Sequence, residues 1–403
     1  MTQKLHGAVI EPPQTSLAER VADDLTLLPG TLLAHGATAA RPLDRILLTG
    51  ATGFIGVHLV DALLRSTSAM IHCLVRAEHA QAGMARLETA MRGYGLETRE
   101  LAARVVLETG DLAAPRCGLR APRWEAIAEG IDAVLHNGAE VNFVAPYHQL
   151  CAANVSATRY LLQLAAQAAC RFVHISTTMA VTPAGGIRQL GHERIFEYEP
   201  PPPVDTLGGG YGQSKWAAER LVELAAAGGL PASILRVGTV IGDVRSGRRP
   251  QYQLQARLAA ASIAAGLLPA LTGSVDLVPV EYVSAATVAL LTRAPISTGV
   301  FHLANPQPLT AAQWQAAVQR LGLPLRILPL DDWLAAMREA ARTTPQHPLA
   351  SLVRGATLGT GLQELQQGFP VYDCSRTVAA LAGTGIVCPP PGDTLVARLL
   401  QSA

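Results

Sequence analysis

RILLTGATGFIG (45–56), followed directly by VHLVDALL (57–64), joins a short apolar strand to an amphipathic helix through a loop with glycines at 50, 53 and 56. Glycine at the first position lets the chain turn tightly, at the second it lets backbone N–H groups approach a pyrophosphate, and at the third it lets helix and strand pack closely. The helix N-terminus adds a positive field for the same anion. A glycine-rich string alone says little. Placed between the first strand and first helix of a βαβ unit, it predicts a dinucleotide site.

Beyond this unit, MIHCLV (70–75), RVVLETG (104–110), AVLHNG (133–138), RFVHIST (171–177) and ASILRVG (232–238) read as further strands. Helical stretches such as 57–64 and 152–169 lie between them. Continuous apolar strands alternating with helices predict a parallel sheet covered on both faces, a Rossmann-like, doubly wound α/β fold with right-handed crossovers. From about Leu309 the alternation fades, and TAAQWQAAVQRLG (310–322), DDWLAAMREAAR (331–342) and SRTVAALAGTG (375–385) read as helices with cap-like Thr, Asp or Ser near their starts. The expected division is a linker-like segment over 1–43, a dinucleotide domain over 44–305 with 246–280 on the substrate side, and a smaller, mainly helical substrate domain over 306–403. Within the first segment, Ser16 with Glu19 three residues on is a capping-box spacing. A surface helix packed on the body and a tether to another domain are both open readings of it.

The second strand ends in Arg76, where NAD enzymes carry an acid and where a guanidinium suits a 2′-phosphate. Arg86 on the following helix is a second contact, so NADPH is the expected cofactor. Asp111, in the Gly110-Asp111-Leu112 turn, reads either as an adenine neighbour or as a plain turn residue.

Tyr211-Gly212-Gln213-Ser214-Lys215 puts a phenol and an ammonium on one helical face. The cation is expected to lower the phenol's pKa, so that it exchanges a proton with a carbonyl oxygen while hydride is transferred. Thr177, ending its strand, is placed to hold the same oxygen, whereas alternation turns Ser176 and Thr178 away. Asn154 is a lesser candidate, since a helical Asn is often a structural bend. Thr52, Phe54, Ile55, Leu112, Asn137, Val237 and Gly238, together with Tyr211 and Lys215, complete the expected cofactor-contacting set.

Of 403 residues, 32 are Lys or Arg and 31 Asp or Glu, a formal charge of +1 that argues against nucleic-acid or membrane-surface partners. Only Lys4 and Lys215 are lysine; the other thirty basic residues are arginine. The 49% hydrophobic fraction allows a large core. No signal peptide is legible at the N-terminus. The uncharged run 258–275 holds Gly266, Pro269 and Gly273 and reads as an Ala-rich helix and loop, not a membrane span. Six scattered cysteines without a C-x-x-C pair fit reduced thiols of a cytoplasmic protein and no metal site.

Together TGATGFIG, Thr177 and Tyr211-x-x-x-Lys215 resemble the extended short-chain dehydrogenase/reductase superfamily. The strings IHCLVRA (71–77), VLHNGAEVNFVAPYHQL (134–150), YGQSKWAAERLV (211–222), LRVGTVIGDVRSG (235–247), VDLVPVEYVS (275–284) and GVFHLANPQPLT (299–310) narrow this to the thioester reductase domains. Such domains terminate nonribosomal peptide synthetases and polyketide synthases and occur in carboxylic acid reductases. The resemblance runs from about Asp44 onward, and DLTLLPGTLL (24–33) is similar to the segment joining carrier and reductase in those enzymes. It implies NADPH-dependent reduction of an acyl or peptidyl thioester on the phosphopantetheine arm of a carrier protein, releasing an aldehyde and in some cases the alcohol. It implies Thr177, Tyr211 and Lys215 as catalytic residues, the first two stabilising the oxyanion and Lys215 holding the nicotinamide ribose. Gly50, Gly53, Gly56, Arg76 and Arg86 become cofactor-binding residues.

The chain departs from the family pattern at Gln251 and Gln253, where Asn and Asp are frequent, at Glu281 in place of Asp and at Ala157 in place of Gly. These positions bear on the substrate channel. A nucleotide-sugar epimerase or dehydratase on the same scaffold is the rival enzyme reading, disfavoured by Arg76. A cofactor-sensing module without catalysis is the rival from another class, disfavoured by the intact Tyr and Lys.

Overall fold

The computed structural model describes residues 16–32, 42–244, 248, 254–293, 297–344 and 369–401. Its centre is a seven-stranded sheet built from β1 (Arg45–Thr49), β2 (Met70–Val75), β3 (Val105–Thr109), β4 (Ala133–His136), β5 (Arg171–Thr177), β6 (Ala232–Val237) and β7 (Gly299–Leu303). The order is β7-β6-β5-β4-β1-β2-β3, with every neighbour parallel. The first six strands are those expected from the sequence. The seventh adds a parallel edge beside β6.

Alternation along each strand feeds two apolar layers. Ile46, Leu48, Leu135, Val173 and Leu235 pack toward α2 (Phe54–Ser66), α3 (Ala80–Gly93) and a later helix, Val280–Thr292. Leu47, Val134, Phe172 and Ile234 pack on the other side against α4 (Ala157–Gln167) and α5 (Gly210–Ala227). Strand order reverses between β1 and β4, the place at which open α/β sheets bind ligands.

The N-terminal capping box is formed: Ser16 N–H donates to Glu19 Oε2 at 2.7 Å and Glu19 N–H to Ser16 Oγ at 3.2 Å. It opens α1 (Leu17–Asp24), which is a packed helix and not a free tether within its own span. Val21 is buried in the second apolar layer. Tyr147 Oη donates to Asp24 Oδ2 at 2.7 Å, and Arg159 donates to the Asp24 carbonyl.

The stretch 152–169 differs from a plain helix. A helix over Tyr147–Cys151 passes into a π-turn at Ala152–Ser156 before α4 begins. The 258–275 run is helical only to Ala265; Leu267–Pro269 and Ser274–Val275 are short strands paired with Arg326–Leu328 and Leu309–Thr310. These pairings join 254–280 to the C-terminal helices α6 (Ala311–Arg320) and α7 (Leu330–Thr343). Thr310 caps α6, as expected, and Gln313 completes a second capping box there. The Asp and Ser expected to cap the next two helices do not: Pro329 precedes α7 and Cys374 precedes α8 (Ser375–Leu381). α8 does not stay with the other C-terminal helices. Leu381 packs into the first apolar layer of the sheet, and Cys388 follows it there. No described helix is long and apolar enough to cross a membrane.

Candidate active site

The loop after β1 shows three different uses of glycine. Gly50 has φ +72°, and a Cβ there would lie 2.7 Å from Gly138 Cα. At Gly56 a Cβ would lie 1.9 Å from the Gly50 carbonyl oxygen, so α2 can reach β1 only without a side chain. Gly53 has ordinary backbone angles and its nearest neighbour would be 3.4 Å from a Cβ, so the protein itself leaves that space open. Gly53 is also the N-cap of α2 and no side chain caps that helix, which leaves first-turn N–H groups for an anion.

A cleft of about 850 Å³ runs along this edge. Of the expected site residues, Gly50, Thr52, Gly53, Phe54, Ile55, Arg76, Arg86, Asp111, Leu112, Asn137, Thr177, Tyr211, Lys215, Val237 and Gly238 line it, while Gly56 lies behind. Arg76 and Arg86 are exposed at the end of β2, and Arg86 Nη1 donates to the Arg76 carbonyl at 2.7 Å. Asp111 is a turn residue, its Oδ1 accepting from Ala113 N–H at 3.0 Å, and it also lines the cleft. Asn137 Nδ2 donates to the Gly50 carbonyl at 3.2 Å. An uncapped helix start, an open space at Gly53 and two exposed guanidiniums at the end of β2 together fit a nicotinamide dinucleotide.

α5 carries Tyr211 and Lys215 to the same cleft. Lys215 is 2% exposed; its Nζ donates to the Ile175 carbonyl at 2.7 Å and to His174 Nε2 at 3.0 Å. Burial pulls its pKa down to about 7, opposed by Glu219 one turn further on. The Tyr211 phenol behaves differently from the sequence expectation. Burial pushes it up to about 12, and no contribution from Lys215 offsets this. The reason is geometric: the ammonium turns toward β5, and Phe143 packs edge-on against the Tyr211 ring, with centroids 5.4 Å apart. Thr177 faces the cleft, its Oγ1 accepting from Met179 N–H at 3.3 Å. Ser176 and Thr178, expected to turn away, also border the cleft, although the Ser176 hydroxyl is directed to α5, where it donates to Glu219 Oε1 at 2.5 Å. Arg236 on β6 closes on the same carboxylate through Nη2 at 2.8 Å.

Asn154 is a buried brace. Its Oδ1 accepts from Glu140 N–H at 2.7 Å, and its Nδ2 donates to Ser214 Oγ at 2.9 Å, tying the loop after β4 to α5 across the π-turn.

Two features of the site lie outside the set expected from the sequence. Asp276 lies buried in the cleft wall, its two oxygens accepting from Thr239 N–H at 2.9 Å and Asn305 N–H at 2.7 Å, with its pKa raised by burial to about 6. His136 and His174 form a buried polar row with Thr49; a His near the end of both AVLHNG and RFVHIST was the signal for it. Of the departures, Glu281 Oε1 accepts from Val244 N–H at 2.7 Å, and Ala157 is fully buried. Gln251 and Gln253 lie outside the described residues.

The cleft also extends between the 254–280 region and the C-terminal helices. Leu268, Trp314, Trp333 and Leu400 line it there although each is 5% exposed or less.

The NAD-binding family described as "male sterility protein" matches residues 48–287. The fold is similar to the crystal structure of the terminal R domain from the myxalamid PKS-NRPS biosynthetic pathway, with a TM-score of 0.85 and 36% identity over 96% of this chain and 97% of that one. The sequence is 34% identical over 388 residues to a linear gramicidin synthase of Brevibacillus parabrevis. It is 35% identical over 398 residues to isonitrile lipopeptide synthase of Streptomyces coeruleorubidus. Those matches cover 95% and 96% of this chain but 8% and 26% of the relatives' own lengths.

Proposed function

The chain belongs to the NAD-binding male sterility protein family and, within it, to the terminal reductase (R) domains, and from that membership we propose that it reduces a carrier-bound acyl or peptidyl thioester with NADPH and releases an aldehyde. It is an oxidoreductase of the nicotinamide dinucleotides. The observation that carries the reading is the convergence of Thr177, Tyr211 and Lys215 on one cleft with the open glycine loop and the two arginines that follow β2.

In this reading the bound cofactor supplies hydride to the thioester carbonyl carbon. Tyr211, a phenol with a raised pKa, keeps its proton at neutral pH and donates it to the carbonyl oxygen as negative charge develops there. Thr177 holds the same oxygen by its hydroxyl. Lys215 keeps an N–H for the nicotinamide ribose once Ile175 and His174 have taken the other two. The hemithioacetal so formed loses its S–C bond, giving the aldehyde and the free pantetheine thiol. Arg76 and Arg86 favour the 2′-phosphate of NADPH, since neither has an acidic partner among the described residues.

The partner in this proposal is a carrier protein presenting the pantetheine arm at the cleft mouth, and the compartment is the cytoplasm. Residues 44–305 form the dinucleotide part, and 246–280 with 306–403 the substrate part, although α8 rests on the sheet. The inner cleft favours an uncharged acyl group: its described wall is mostly apolar, its neutral polar groups include Thr182, Thr239, Ser262, Ser274 and Tyr372, and the one carboxylate near them is that of Asp276.

The test is consumption of NADPH by the purified chain given an acyl-pantetheine thioester, with mass spectrometry of the product. Aldehyde formed by the wild type and lost in Tyr211→Phe supports the assignment. Equal turnover by the two proteins overturns it.

A further inference from the structure

Thr49, His136 and His174 stand in register on three adjacent strands, Thr49 opposite His136 and His136 opposite His174. All three lie on the face covered by α4 and α5, above the apolar residues Leu47, Val134 and Phe172. Lys215 reaches down from α5 onto the end of this row.

The hydrogens in the row follow from its contacts. Thr158 Oγ1 donates its one proton to the Asn154 carbonyl at 2.7 Å, so at 3.1 Å from His136 Nε2 it accepts. His136 is therefore protonated on Nε2, and its bare Nδ1 accepts from Thr49 Oγ1 at 2.8 Å. Thr49 Oγ1 in turn accepts from Gly138 N–H at 2.8 Å. His136 is thus fully partnered as a neutral ring. His174 is the opposite case. While Lys215 is charged its ammonium only donates, so in that state His174 Nε2, 3.0 Å from Lys215 Nζ, is bare and the proton sits on Nδ1. That Nδ1–H is buried with no partner. A buried donor left unmade costs its desolvation in full, and the same site filled by an apolar side chain would avoid that cost. What His174 supplies in return is one acceptor, directed at Lys215.

We infer that His174 is a positioning residue for Lys215, its neutral ring accepting one ammonium hydrogen and holding the charged form of the amine turned to the sheet. This rests on the reading of Lys215 as the catalytic lysine. The other groups around the amine do not replace it. His136 lies behind His174, with ring centroids 5.2 Å apart, and has no free acceptor. Glu219, one turn along α5, is engaged by Ser176 and Arg236. Tyr211, one turn before, is a donor at neutral pH. Protonation of His174 is disfavoured by burial, by Lys215 and by His136, so the acceptor persists through the working range.

Because the chain has two lysines, protein labelled with ε-15N-lysine gives two side-chain signals, and Lys4→Arg assigns them. Loss of a hydrogen bond to a charged group corresponds to about one pH unit or more, so His174→Leu should lower the Lys215 midpoint by that amount. His174→Gln, whose amide oxygen reaches the Nε2 position, should titrate with the wild type. His174→Asn, whose oxygen reaches only the Nδ1 position, should follow the Leu variant. The polar Gln and Asn pair decides the matter if the Leu protein does not fold. A wild-type midpoint in both Leu and Asn variants would overturn the inference. The titration needs no substrate, so failure of the thioester reading would appear separately, as a wild-type protein that titrates as expected and reduces nothing.

Discussion

Gly53, the N-cap of α2, and Gly56 in its first turn stand three residues apart, and replacing each by alanine should separate binding from folding. At Gly56 the new Cβ would lie 1.9 Å from the Gly50 carbonyl oxygen, about 1.5 Å inside ordinary contact, and the obstructing atom is backbone. Relief requires α2 to move away from β1, where Val57, Leu59 and Val60 are fully buried. Overpacking of this kind costs about 1–3 kcal/mol or more. For a chain of this size that is a fall of several degrees in Tm. At Gly53 the backbone angles suit alanine and the nearest atom would be 3.4 Å away. Loss of a glycine N-cap and the reduced freedom of the unfolded chain nearly cancel, within about 1 kcal/mol. Gly53→Ala should therefore keep its Tm while the methyl group occupies the space kept for the pyrophosphate. Thermal melting and calorimetric titration with NADPH measure the two quantities. The expected pair is Gly53→Ala with unchanged Tm and at least tenfold weaker NADPH binding, and Gly56→Ala with both impaired. A Gly53→Ala protein that binds NADPH like the wild type would refute the assignment of that space to the cofactor.

Tyr211→Phe should lower kcat by about 10²–10⁴-fold with NADPH affinity nearly unchanged, read from steady-state rates and titration. Arg76→Ala should weaken NADPH by roughly tenfold or more and leave NADH alone, since a charge-assisted contact of about 1.5–3 kcal/mol is lost only with the 2′-phosphate; equal losses for both cofactors would remove that role. Asp276, raised from 3.8 to about 6, binds more protons folded than unfolded between those values. Its contribution to stability is full below the lower value and is lost as pH rises through the upper one. The stability of the wild type relative to Asp276→Asn should accordingly fall between pH 4 and 7 in denaturant melts. An uncharged medium-chain acyl-pantetheine should be turned over with higher kcat/KM than one ending in a carboxylate, because the latter places a second negative charge beside Asp276 in an apolar chamber; the reverse order would count against the substrate class.

Much of the fold and the site is legible in the sequence because the signals are local. The glycine loop, six of seven strands and the caps at Ser16 and Thr310 depend on residues within a few positions of each other. The seventh strand, GVFHL, is a five-residue edge segment whose identity comes from pairing with β6 far away in sequence. The caps expected of Asp and Ser fail for a related reason. Asp331 and Asp332 lie in the first turn of α7, where they favour the helix dipole, while Pro329 sets the entry. The Tyr211 pKa departs from expectation because helical spacing gives the two side chains a common face but not the direction of the amine, which two acceptors on β5 determine. Asp276 has no short-range pattern to mark it, and the histidine row leaves only the repeated His near the end of two strands, which does not say that the rings meet. They arise where strand ends from distant parts of the chain meet.

The row Thr49–His136–His174 crosses the sheet one strand at a time, from the glycine loop to the lysine. Parallel strands are spaced by about 4.8 Å, so two steps set the strand of the glycine loop and the strand that holds Lys215 roughly 10 Å apart. On the proposed function the sheet would act as a ruler for the dinucleotide, its length set by hydrogen-bonded backbone and not by any replaceable side chain. Redesign of cofactor preference should then be confined to the marks at one end, at Arg76 and Arg86, with the rest of the scale left untouched.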